Sequence, residues 1–64
     1  MTLFWSYEGP VTEYGEVITR VWKANTWADT ERTARSNFAY QYKQQFNKIL
    51  RTKITLPGKI TMIA

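Results

Sequence analysis

Few residues in this chain have chemistry to offer. Glu13 and Glu16 flank Tyr14-Gly15, a carboxylate pair across a turn that could exchange a proton or hold a cation. Neither can recruit a histidine or a cysteine, because the 64 residues contain neither type. That removes the commonest general base, the softest nucleophile and the ordinary ligands of zinc. Asp29 is the only aspartate, and Glu8 and Glu31 stand apart from the pair. Glycine-rich phosphate loops, nucleophile elbows and metal-ligand spacings do not occur. The sequence therefore reads as a non-catalytic chain with no cofactor and no metal, and Glu13–Glu16 as a solvated turn.

Cations are the more informative charges. Nine Lys and Arg against five Asp and Glu give a net charge of +4, which suits a polyanionic partner without requiring one. The candidate binding residues are Arg20 and Lys23 early in the chain, then Asn37, Tyr40, Lys43, Asn47, Arg51 and Lys53. The first reading is nucleic-acid binding, with the cations on phosphates and Tyr40 or an exposed Trp stacked on a base. The second is a protein-binding module that inhibits or redirects a host enzyme or defence protein. The amides Asn37, Gln41, Gln44 and Asn47, together with spare aromatic rings, suit that role as well. A homodimer is left open.

The elements that must position these residues follow from periodicity. Leu3, Trp5 and Tyr7 alternate with Phe4, Ser6 and Glu8 as in a strand. Gly9-Pro10 predicts a kink, Val11-Thr12 resumes the strand, and Gly15 permits the left-handed backbone of a hairpin turn at Glu13-Tyr14-Gly15. Glu16–Lys23 is rich in β-branched and aromatic residues and predicts the second strand, with Val17, Thr19 and Val21 on one face and Ile18, Arg20 and Trp22 on the other. Ala24-Asn25 is expected to end it. A helix is then expected from Thr26, as N-cap, to Leu50, with an apolar stripe of Trp27, Ala34, Phe38, Tyr42, Phe46, Ile49 and Leu50. Burying the large members of that stripe contributes on the order of 10 kcal/mol before ordering entropy. Arg35 falls within the stripe, where it can snorkel or pair with Glu31. Beyond it, Lys53–Leu56 and Lys59–Ile63 flank Pro57-Gly58, which either closes a short hairpin or bends one strand.

The order predicts an α+β fold in one compact domain over 1–64: a two-layer β-β-α-β(β) arrangement in which one long helix packs on one face of a small antiparallel sheet of three or four strands. A single helix covers one face, so some of Phe4, Ile18, Trp22 or Tyr7 should remain on the open face, as a binding surface. With no apolar run long enough to span a membrane and no basic-then-apolar leader at the N-terminus, a cytoplasmic location is expected.

The layout resembles small accessory proteins of Gram-positive phages and mobile elements. The likeness lies in the early Trp5 strand, the Tyr14-Gly15 turn, a helix with Ala34-Arg35-Ser36-Asn37 and Tyr40-Gln41-Tyr42-Lys43, and the closing Ile54-Thr55-Leu56-Pro57-Gly58-Lys59-Ile60. The resemblance implies an accessory role in the cytoplasm of a bacterial host and supplies no active-site residues.

Overall fold

In a computed structural model, which describes residues 2–49 and 51–63, the elements run β1 (Leu3–Glu13), β2 (Glu16–Ala28), α1 (Glu31–Gln45), β3 (Ile54–Thr55) and β4 (Ile60–Met62). The four strands form one antiparallel sheet with β1 at its centre. β2 pairs along one side of it, and β3 and β4 share the other. The helix packs on one face, giving the expected two-layer α+β fold.

Pro57-Gly58 bends one strand and does not close a hairpin, because β3 and β4 both run antiparallel to the same neighbour. The break between them lies alongside the Gly9-Pro10 interruption of β1, and Tyr7 ties the two together. Its hydroxyl donates to the Pro10 carbonyl at 2.6 Å and accepts the Gly58 N–H at 2.9 Å. Gly58 is required for that approach, since a Cβ there would lie 2.7 Å from the Tyr7 hydroxyl oxygen. At the other end of β1, Tyr14 and Gly15 both take positive φ (50° and 85°), the geometry of a two-residue hairpin turn. Glu13 and Glu16 face each other across it, and Lys48 meets Glu13 at 3.1 Å.

The helix is shorter than the sequence pattern predicts. Its N-cap is Thr30, whose side chain accepts the Thr33 N–H, and not Thr26. Residues expected in its first turn belong to β2, which continues through Ala24-Asn25 to Ala28 because the N-terminal half of β1 pairs with it as far as Leu3–Ala28. Long-range pairing here overrides a local capping signal. Ala34, Phe38 and Tyr42 are the buried stripe. Phe46 becomes the C-cap, partly exposed with its ring 4.5 Å from Tyr42, and Ile49 lies beyond the helix in solvent. Leu50 lies outside the described residues.

The core joins this stripe to Trp5, Tyr7, Val11, Trp22, Ala28, Leu56 and Ile60. Each buried aromatic with a polar tip has a partner for it, as burial demands. The Trp5 indole donates to the Ala28 carbonyl (2.9 Å), the Trp22 indole to Gln45 Oε1 (3.1 Å), and the Tyr42 hydroxyl shares a hydrogen bond with Thr19 (2.6 Å). Arg35 neither snorkels freely nor needs Glu31, since its guanidinium donates to the Leu56 carbonyl.

Strict alternation also fails in β2. From Gly9 to Val11 the partner strand advances from Trp22 back to Thr19, and from Val11 to Thr12 it moves from Thr19 to Val17. Each step spends one extra residue of β2, so the strand carries two bulges. The first leaves Trp22 and Thr19 both under the helix, while Arg20 and Val21 both line the surface on the opposite side.

Candidate functional site

The sheet face away from the helix is uncovered, and its side chains form ordered rows. Phe4 of β1 pairs with Trp27 of β2, and the Ile63 N–H on the β4 side donates to the Phe4 carbonyl at 2.8 Å. That first row is apolar: the Phe4 and Trp27 ring centroids are 4.6 Å apart, and Trp27 is 61% exposed. The second row is neutral and polar, with Ser6 between its partners Asn25 and Thr61. The third is charged. Glu8 pairs with Lys23, their side chains 3.7 Å apart, and Lys59 follows the last β4 pair, Tyr7–Ile60, on the other side. Successive rows stand about 6.8 Å apart along β1. Ser6, Glu8, Pro10, Arg20, Val21, Lys59, Thr61 and Ile63 line an open groove of about 650 Å³ that runs from Ile63, beside the first row, across the lower rows, where the first bulge sends Arg20 and Val21 together.

The helix does a different job from the one its outer residues suggested. Asn37 donates to Thr26 Oγ1 and to the Trp27 carbonyl, both at 3.3 Å, and Gln41 donates to the Asn25 carbonyl at 3.3 Å. With Gln45 on Trp22, these amides recur every four residues down one side of α1. Four helical residues rise about 6 Å and two strand residues about 6.8 Å, so Asn37 and Gln41 keep step with the alternate carbonyls of Trp27 and Asn25 on the outer edge of β2, while Gln45 accepts from the Trp22 indole instead.

The residues proposed from sequence are thus dispersed. Arg20 and Lys23 reach the open face. Asn37 is turned into the edge of β2. Tyr40 is exposed on the helix, its hydroxyl accepting from Gln44 at 3.0 Å, and Lys43 is half-buried one turn further on. Asn47 adopts φ 55° just past the helix, where the Asn47 and Lys48 N–H groups return to the Gln44 and Lys43 carbonyls (3.5 and 2.8 Å). That is the left-handed termination for which Asn is the common alternative to Gly. Arg51 and Lys53 are exposed in the segment before β3, and the Lys53 carbonyl accepts the Tyr14 N–H at 3.2 Å.

Sequence reasoning did not assign Trp27 and Lys59 to the site. Period-two alternation continues through Lys23, Asn25 and Trp27 against Trp22, Ala24, Thr26 and Ala28, and it was the signal that would have kept Trp27 in a strand. Of the aromatic candidates for the open face, Phe4 lies there, whereas Tyr7 and Trp22 are buried beneath the helix. Among the described residues, no group of three or more acidic, histidine or cysteine side chains is placed to hold a metal, and no helix is long and apolar enough to cross a membrane. No family model matches the chain, and no curated protein or solved structure matches it either.

Proposed function

We propose that the chain is a non-catalytic module that binds unpaired nucleic acid on its open sheet face. The observation that carries this reading is the Phe4–Trp27 ring pair, left uncovered by the helix and sharing its surface with Arg20, Lys23 and Lys59. The exposed Trp27 ring, packed on the half-buried Phe4, offers a stacking platform to any base, and three cations against the single carboxylate of Glu8 favour a phosphate backbone. The rings and cations lie on one side of the sheet, so a strand crossing it meets both. The accessory role in a phage or mobile element implied by the sequence resemblance belongs to the same proposal.

Trp5 and Trp22 are buried, so Trp27 is the indole that reports on this face. Titration with a single-stranded oligonucleotide at low salt should quench its emission, and added salt should restore it. Absence of any change at low salt would end the reading. Val21 and Ile63, 62% and 56% exposed on the same face, favour a second reading in which a host protein covers it. That reading requires binding which survives moderate salt.

A further inference from the structure

We infer that the groove below the ring pair takes an unpaired guanine and that Glu8 is the residue that selects it; the inference rests on the nucleic-acid reading above. A carboxylate among the phosphate-binding cations weakens attraction to any polyanion, so its position calls for a use. Glu8 stands on the central strand between Lys23 and Lys59, and its contact with Lys23 is long (3.7 Å) and highly exposed (64% and 71% for the two side chains). Such a pair exchanges readily for a better partner.

A carboxylate only accepts, through two oxygens side by side. Guanine is the base whose Watson–Crick edge sets two N–H donors, N1–H and N2–H, next to each other. Cytosine and adenine place a ring-nitrogen lone pair beside their amino group, and uracil or thymine has one N–H between two carbonyls. Each of those aims a lone pair at the carboxylate. Unpaired bases are the ones whose Watson–Crick edges proteins can read.

The groove matches the rest of a guanine nucleotide. Its volume of about 650 Å³ holds a base with its sugar, Pro10 and Val21 supply apolar surface, and Arg20 and Lys59 supply charge for phosphate. Glu8 lies four residues from Phe4, about 13–14 Å along the strand. The guanine and the base on the ring pair therefore belong to different nucleotides. A guanine in a strand and a free guanine nucleotide present the same chemistry.

The test uses the full chain, Trp27 emission, a short oligothymidylate, and the same oligomer carrying one central G, C or A. GMP forms a separate arm, read by titration calorimetry because its site lies about 13–14 Å from the ring pair. The G-containing oligomer should bind about tenfold more tightly than the others. Glu8→Gln, at an exposed position, should leave the circular dichroism unchanged, erase that preference and bind the all-T oligomer at least as tightly as wild type, because a negative charge leaves the cationic face. GMP binding that matches the G oligomer and depends on Glu8 would identify a free nucleotide as the ligand, whereas much weaker GMP binding identifies the strand. Equal affinities for all four oligomers in the wild type, or a G preference that survives Glu8→Gln, would overturn the guanine inference and leave nucleic-acid binding standing. No binding by any oligomer would overturn both.

Discussion

The side-chain amide of Asn37 donates to the backbone carbonyl of Trp27 at 3.3 Å, so the helix closes the edge of β2 at the residue whose ring it leaves in solvent. The antiparallel pattern explains why that carbonyl is available. The Phe4 carbonyl is turned toward β4, where it accepts from Ile63. Phe4 and Trp27 are consequently a pair not hydrogen-bonded to each other, with their side chains close together and the Trp27 carbonyl pointing outward. One register thus produces both the ring pair and the hydrogen-bonding row that the helix occupies.

An open strand edge invites pairing with another chain. On β2 the amides of Asn37 and Gln41 guard the Asn25–Trp27 half, and the two bulges break the regular spacing nearer the turn. Replacing both amides, Asn37→Ala with Gln41→Ala, removes three hydrogen bonds and should cost about 2–3 kcal/mol of stability at about 1 kcal/mol per lost bond. It should also produce concentration-dependent association. Denaturant melts and sedimentation of the double variant check both outcomes, and an unchanged melt with a strict monomer would contradict the guarding role.

Tyr7 spans the interruptions of two neighbouring strands, so its hydroxyl matters more than an ordinary surface one. Tyr7→Phe should lose about 1–3 kcal/mol, because the Gly58 N–H and the Pro10 carbonyl are left without this partner in a partly buried place. Gly58→Ala should be destabilising as well, through the 2.7 Å approach of its Cβ to the same oxygen. Combining the two changes should cost less than the sum of the single losses, since removing the hydroxyl relieves the clash. A double-mutant cycle measures that coupling.

Asn47 is a binding candidate on sequence as one of the amides, with Asn37, Gln41 and Gln44, that suit a partner. Its φ of 55° gives it a structural role at the helix terminus. Asn47→Gly should stabilise the fold by a few tenths to about 1 kcal/mol, and Asn47→Ala should destabilise it, because a Cβ strains the left-handed backbone that glycine adopts freely. Thermal melts of the two variants should move in opposite directions, with binding to the open face unchanged in both.

The fold was largely legible because it depends on periodicity. Leu3, Trp5 and Tyr7 at spacing two, and Ala34, Phe38 and Tyr42 at spacing four, show the strand and the helix, although apolar residues on both sides of β1 leave Tyr7 a candidate for the open face, and the structure buries it. What misled was Thr26-Trp27, whose local pattern starts a helix as well as it ends a strand. Alternation through Lys23, Asn25 and Trp27 favours the strand, and pairing with Leu3 and Phe4, more than twenty residues away, holds it there. The bulges were illegible for a similar reason: they record a mismatch between two strands, which neither strand shows alone. The site inherited both errors. Arg20 and Lys23 could be named as surface cations, but their proximity to Trp27 and Lys59 exists only once register is set.

The cations and the ring pair should separate in binding measurements. Trp27→Ala removes a side chain that is 61% exposed, so stability should change little, while affinity for single strands should fall by about 1–3 kcal/mol, equally at low and moderate salt. Arg20→Ala and Lys59→Ala should act through counterion release, each lowering the slope of log K against log salt by about 0.7 for a single strand. Arg32 is exposed on the helix layer, so Arg32→Ala should leave the slope unchanged. If Arg32→Ala lowers the slope as much as Arg20→Ala, attraction is a property of the whole +4 surface and not of this face. If Trp27→Ala binds like wild type while the slopes respond as expected, the phosphates lie on the sheet but the bases do not stack there.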